Sequence, residues 1–291
     1  MLSYQHAFHA GNHADLLKHY VLTFVLNSLN KKDKPYTFLD SHSGSGLYDL
    51  YDNRIVKTGE AEKGIISLDK LLDKGDKTLP VSFYNYISLI DKYTKENLYP
   101  GSPEIEKSLM RGQDTLILSE LHPQEVENLK ANMLHPSFDV NAKDKKDTPK
   151  IKVMNISGWN MLKANTPPIT KRGAILIDPS YEETQDYIDA ANTICEVNKK
   201  WSNGIILLWY PLLSHRESEI QVMKERIIFG AESVNQNVEI TNLELEVYDK
   251  DNENLSRLYG SGMLVINSPW KLEEEGKIVV DYLKNTLSPL F

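Results

Sequence analysis

Cysteine is almost missing from this chain of 291 residues; Cys195 is the single one. No internal disulfide can form, and a reducing cytoplasm is the expected home. The lone thiol reads as a small apolar side chain buried in the fold rather than a nucleophile. Long apolar runs are missing too. Nothing approaches the roughly 20 consecutive apolar residues of a membrane-spanning helix. The opening MLSYQHAFHAGNHAD also lacks the basic-then-apolar pattern of a signal peptide, so no membrane partner is expected. Basic charge is scarce. The 33 Lys and Arg against 41 Asp and Glu leave a net charge of −8, which counts against wrapping a long nucleic acid. A small local basic groove stays open. Candidates are Lys143, Lys145, Lys146, Lys150 and Lys152, interleaved with Asp144 and Asp147 like an ordinary solvated loop, and the pair Lys171-Arg172. Repeats and low-complexity tracts are absent, and nothing marks an interface with an obligate protein partner.

What is there, 41% hydrophobic and 25% charged residues, suits a globular chain with a sizeable core. Short aliphatic runs supply the strands. YTFLD (36–40), TLILSE (115–120), IKVMN (151–155), AILID (174–178) and GIILLWYP (204–211) read as buried parallel strands. Between most of them, apolar residues recur three and four apart, as at 186–197 and 217–229. That alternation predicts an α/β fold with an open, doubly wound sheet. NLELEVYD (242–249) and SGMLVINSPW (261–270) then predict an antiparallel C-terminal hairpin at one edge. The stretch 47–110 is too long for one crossover helix. It carries two helical patterns, GIISLDKLL and FYNYISLIDKY, and reads as a small helical insertion. The charged stretch 135–150 reads as a surface loop.

Ligands of an open parallel sheet bind beyond the carboxyl ends of its strands. The first strand is followed by Asp40, His42, Gly44 and Gly46, small residues that let a backbone approach a ligand closely. Neither a Walker loop nor the six-residue dinucleotide fingerprint is present. Glu120 ends the next strand, where an acid commonly holds a ribose diol; a surface glutamate capping the following helix is the plain alternative. Glycines after one strand and an acid after the next point to a nucleoside-like cofactor.

The strand at 174–178 stops at Asp178-Pro179-Ser180-Tyr181. A planar amino group is a poor nucleophile while its lone pair is delocalised into a ring. Two acceptors, the Asp178 carboxylate and the Pro179 carbonyl, can hold its hydrogens and move the nitrogen toward sp³. Proline restricts φ and removes a competing N–H donor. Tyr181 offers a flat face for an unstacked base. A mere turn after a strand is the alternative. At the other end of the chain, His6, His9, His13 and His19 fall within fourteen residues, but their spacing matches no common zinc motif. Asn12 reads as an N-cap with Asp15 at the third helical position, which predicts a helix from His13 to about Asn30. Leu17, Val21, Phe24 and Ser28 mark its expected buried stripe, and Lys18 and His19 stand one turn in. Tyr4 and His6 precede it on an arm able to fold over a substrate.

Asp178-Pro179-Ser180-Tyr181 resembles the Asp/Asn-Pro-Pro-aromatic motif of S-adenosylmethionine-dependent amino-group methyltransferases. With MLSYQHAFHAGNHADLLKH, LDSHSGSGLY, YPGSP, SELHP, IDPSYE, LWYP and SGMLVINSPW in order, the chain is similar to the bacterial 23S rRNA adenine-N6 methyltransferase J family. The resemblance runs from Met1 to Trp270. It implies a seven-stranded methyltransferase domain of 1–46 and 111–291 around the insertion at 47–110. It also implies methylation of one adenine of 23S rRNA, position 2030 in the usual numbering, with S-adenosylmethionine as cofactor and no metal. On that footing the catalytic residues are Asp178, Pro179 and Tyr181. Lys18, His19, Asp40, His42, Gly44 and Gly46 would bind the cofactor, joined by Ser102, Glu120, Ser157, Gly158 and Asp178. Tyr4, His6, Lys18 and Tyr181 would face the RNA. Two positions depart from the family pattern. Its second proline is Ser180, and the acid usual before Gly158, an acceptor for the cofactor's adenine amino group, is Ser157. Rival readings are a related methyltransferase acting on guanine N2 or a protein glutamine, and a non-catalytic RNA-binding or assembly protein. An oxidoreductase is disfavoured by the incomplete glycine pattern.

Overall fold

The computed structural model describes residues 6–73, 78–135, 147–249 and 258–290. After a 3-10 turn at His6–Phe8 come α1 (His13–Asn30), β1 (Thr37–Asp40), β2 (Leu47–Asp49), α2 (Asn53–Thr58) and α3 (Glu60–Lys63). Next are α4 (Ile65–Asp73), α5 (Val81–Thr94), β3 (Leu98–Pro100), α6 (Ser102–Leu109), β4 (Thr115–Ser119) and α7 (Pro123–Leu134). The chain continues through β5 (Lys150–Met154), α8 (Gly158–Asn165), β6 (Gly173–Ile177), α9 (Thr184–Lys200) and β7 (Ile205–Leu213). It closes with α10 (Glu217–Val234), β8 (Ile240–Glu246), β9 (Leu258–Ile266) and α11 (Leu272–Leu287).

Seven strands form one sheet in the order β5-β4-β1-β6-β7-β9-β8. The first five are mutually parallel, and β9 runs antiparallel between β7 and β8. This is the doubly wound sheet with antiparallel C-terminal strands that the pattern predicts. Strand β6 shows why its apolar run is continuous. Ala174 and Leu176 join the core on one face, and Ile175 and Ile177 join the core on the other. Both faces of a central strand are covered, so neither tolerates a polar side chain.

Several expectations need correction. Helix α1 has the predicted bounds and cap, with Asn12 Oδ1 accepting from the Asp15 N–H at 3.0 Å. Its burial is not a stripe, however; nearly its whole circumference is buried because β9, α5 and α6 pack around it, and Phe24 and Ser28 are only half-buried. The segment 47–110 is not purely helical, since β2 and β3 form a separate antiparallel pair within it. Its Phe83, Tyr86 and Tyr93 share one core with Leu17, Val21 and Phe38, so it packs as part of the main body. Strand β7 runs past Pro211 to Leu213. By that point β6 has ended opposite Leu208, so one side of β7 has no ladder for a proline to interrupt. Cys195 is half-buried rather than buried, with its Sγ 3.7 Å from the Arg226 carbonyl oxygen.

Arg172 lies just before β6, at the end of the sheet away from the strand carboxyl termini, and its guanidinium donates to the Lys34 and Leu29 carbonyls. It serves the fold there. Lys143, Lys145 and Lys146 lie outside the described residues. Among the described residues no helix is long and apolar enough to cross a membrane.

Candidate active site

From β1 the chain runs outward to β4 and β5, then returns to β6 on the other side of β1. The order reverses between β1 and β6, and a crevice opens beyond their carboxyl ends. Three backbone features shape it. The turn after β1 has Gly44 at φ +58° and Gly46 at φ +78°, a left-handed region where side chains are disfavoured. Glu120 fastens that turn, its Oε2 accepting from the Gly44 N–H at 2.8 Å and its Oε1 from the His122 N–H at 2.7 Å. Gly158 begins α8 so close to the β1 loop that a Cβ there would stand 2.2 Å from the Ser41 carbonyl oxygen.

These pieces enclose a cavity of about 200 Å³. His42, Gly44, Ser102 and Glu120 line it from the β1 side, and Ser157, Gly158, Asp178 and Pro179 from α8 and β6. His6, Lys18 and His19 reach it from the N-terminal segment and α1. Asp178 and Gly44 of the glycine turn therefore border one space.

Three expected residues stand elsewhere. Asp40 is fully buried behind the wall, its Oδ2 accepting from Ser102 Oγ at 2.7 Å and its Oδ1 from the His42 N–H at 3.2 Å. It shapes the wall rather than lining it. Gly46 is also off the wall, with its carbonyl accepting from the Gly101 N–H at 2.9 Å. Tyr181 does not present a free face in this structure. Its ring is buried with its centroid 4.6 Å from that of Tyr187, and its hydroxyl donates to the Trp209 carbonyl at 3.0 Å. It also sits at φ +53°, a strained conformation for a tyrosine that the surrounding packing holds. Tyr181 pins the Asp178-Pro179 loop from beneath. Tyr4 lies outside the described residues.

The four N-terminal histidines diverge instead of converging. His6 Nε2 lies 3.1 Å from Asp15 Oδ2, and His9 Nδ1 lies 3.0 Å from the Glu60 carboxylate. His13 sits edge-on to Tyr248, and His19 Nδ1 is 2.9 Å from the Tyr99 hydroxyl. Among the described residues no group of three or more His, Cys, Asp or Glu is arranged to hold a metal ion.

Lys18 is the electrostatic centre. It is buried, and its Nζ donates to Asp178 Oδ2 at 2.6 Å and to Asp15 Oδ1 at 2.8 Å. Burial alone would favour the neutral amine, but Asp15 and then Asp178 outweigh it and hold Lys18 above its usual range as an ammonium. Burial would likewise raise Asp15, yet His6 and Lys18 hold it well below the ordinary carboxylate range. Burial pushes His19 down to about 3 and His42 down to about 4, so both are neutral at physiological pH and neither repels a bound cation. Burial also raises Asp40 to about 6 and pushes the adjacent Glu106 well up, the latter helped by the Asp40 charge.

A second cavity, of about 170 Å³, lies across Asp178 and Lys18. Trp209, Pro211 and Leu213 line it from β7, and His6, Asn12 and Asp15 from the N-terminal side. The half-buried Trp209 has an indole N–H with no hydrogen-bond partner among the described residues. Sequence reasoning took Trp209 for an ordinary strand residue and Asp15 for a helix-start acid. The signal for Trp209 lies in the register: it is the first β7 residue beyond the end of β6, where side chains face the crevice.

The first cavity fits S-adenosylmethionine by its donor set. Among the described residues the buried His19 Nε2 has no hydrogen-bond partner and Ser157 caps α8 without using its side chain, and the carboxylates of Glu120 and Asp178 suit a cation and a ribose diol. Ser157→Asp would add a charged acceptor at that helix start. Calorimetric titration is expected to show S-adenosylmethionine binding about tenfold tighter, one good charge-assisted bond; an unchanged affinity would remove position 157 from the cofactor site.

The family model described as Ribosomal RNA large subunit methyltransferase D, RlmJ, matches residues 33–290. The Ribosomal RNA large subunit methyltransferase J of Escherichia coli K12 is 38% identical over 99% of this chain and 95% of the relative. Its Haemophilus influenzae namesake is 40% identical over the same shares. A solved Legionella pneumophila structure, 33% identical, superposes with a TM-score of 0.76 over 97% of this chain and 95% of that one. A likeness this extensive to relatives from several bacteria, on a sheet with this crevice, settles the kinship: the chain belongs to the RlmJ family of ribosomal RNA large subunit methyltransferases.

Proposed function

We propose that this chain transfers the methyl group of S-adenosylmethionine to the N6 amino group of one adenine in 23S rRNA, at position 2030 of the usual numbering. The observation that carries the reading is a shared wall, since Asp178 and Lys18 border both cavities. Group transfer needs donor and acceptor on opposite sides of one charged group. When bound, S-adenosylmethionine supplies an electrophilic methyl carbon on its sulfonium. Lys18 engages Asp178 Oδ2, which leaves Oδ1 to accept from the amine. As the amino nitrogen bonds the methyl carbon it turns cationic, the pair of the broken carbon–sulfur bond stays on sulfur as a neutral thioether, and Oδ1 takes the surplus proton from nitrogen. Negative charge that favours the cationic stage over the neutral amine lowers the barrier.

The target base has to leave its stack to reach such a site. The second cavity suits a purine. Trp209 gives it a flat wall on which a base can lie. The relatives' names, which specify ribosomal RNA of the large subunit, agree. An rRNA substrate also agrees with work in the cytoplasm.

Mapping N6-methyladenine in 23S rRNA from cells with and without this protein tests the reading. One site is expected to lose its methyl group, and an unchanged map would dismiss the proposal. Within the site, Trp209→Ala is expected to raise KM for the RNA about 5- to 150-fold, the range of one base–aromatic stack, with cofactor affinity unchanged. An unaltered KM would place the base elsewhere.

A further inference from the structure

We infer that Asp15 is a positioning residue that takes up the charge of Lys18 and so leaves Asp178 available to the acceptor amine. This rests on the amino-group methyltransferase reading above. Asp15 is 1% exposed and fully engaged. Its Oδ1 accepts from Lys18 Nζ at 2.8 Å, and its Oδ2 accepts from the Gly11 N–H at 2.9 Å and faces His6 Nε2 at 3.1 Å. The Asn12 cap fixes the backbone beneath it. Asp15 does not touch Asp178; it acts through Lys18, which stands between the two carboxylates.

Charge decides the consequence. Asp15, Lys18 and Asp178 sum to −1, and His6, which faces Asp15 at 3.1 Å, contributes equally to the chain and to each variant compared, so the differences between them stand. With Asp15 neutral the remaining pair sums to zero, and the ammonium is balanced by Asp178 alone. Methyl transfer brings a positive charge onto the acceptor nitrogen next to that pair. A group already neutralised by a buried ammonium stabilises this charge poorly, because little water reaches the pair to screen it. Lys18 alone would orient Asp178 and disable it. Lys18 with Asp15 orients Asp178 and leaves its charge in effect.

The test uses the full chain with 23S rRNA and S-adenosylmethionine. Asp15→Asn keeps the shape and is expected to lower kcat about a hundredfold while leaving the dissociation constant of S-adenosylmethionine unchanged. Adding Lys18→Met restores the sum of −1, and the double variant is expected to turn over about tenfold faster than Asp15→Asn, because replacing both members of a buried pair is far milder than removing one. A packing role alone would leave the double variant no faster than the single one, and that result overturns the inference. Should Asp15→Asn fail to fold, the double variant decides alone. A kcat within about tenfold of the unaltered chain supports the role, and one as low as that of Asp178→Ala refutes it. Failure of the unaltered chain to methylate 23S rRNA would instead remove the underlying reading, so the two failures are distinct.

Discussion

Asp178→Ala is expected to leave S-adenosylmethionine binding measurable and to slow methyl transfer to 23S rRNA at least about 1,000-fold. The variant removes the one carboxylate common to both cavities, together with the acceptor left over after Lys18 has taken Oδ2. It does not strand the ammonium, which keeps its 2.8 Å bond to Asp15, so the fold should persist. Binding should persist because the glycine turn, Glu120 and the start of α8 do not depend on this side chain. Single-turnover rates beside calorimetric titration separate the two effects. A rate within tenfold of the unaltered chain would strip Asp178 of its role.

Gly158→Ala should damage the site by another route. The added methyl would stand 2.2 Å from the Ser41 carbonyl oxygen and 2.9 Å from the Ser41 Cβ. Backbone oxygen cannot rotate aside as a flexible side chain does, so α8 and the β1 loop must separate. Overpacking of this kind typically costs about 1–3 kcal/mol. The loss also falls on the cofactor, since Ser157 and His42 line the cavity from the two sides being pushed apart. A tenfold or greater weakening of S-adenosylmethionine binding, with a lowered denaturation midpoint, is the expected pair of results. Wild-type affinity in this variant would show that the two segments move independently of the site.

The parts of this molecule written in local pattern were legible. Strand β6 is an unbroken apolar run because both its faces are covered, and the start of α1 follows from the Asn12 cap. The cavity walls were largely legible as well, because turn glycines and strand-end acids carry their chemistry in their identity. The misses share a cause. Tyr181 has the identity of a stacking platform, but only the fold shows its ring turned down against Tyr187. Trp209 hides in a hydrophobic run, and its exposure to the crevice depends on β6 ending where it does. Asp15 does satisfy a helix start, yet its larger engagement is with Lys18 one turn on, and through it with Asp178, which lies 160 residues beyond Lys18 in sequence. Contacts at that separation leave no periodic trace.

The common wall has a bearing on inhibitor design. Two compartments of about 200 and 170 Å³ meet at the Lys18–Asp178 pair, so a purine tethered to a nucleoside would fill both if its linker passed beside that pair. A basic nitrogen in the linker would compete with the lysine for the carboxylate, and covalent joining would raise the local concentration of the second fragment. Neutral linkers would forgo that anchor, so protonation of the tether becomes the property to vary first.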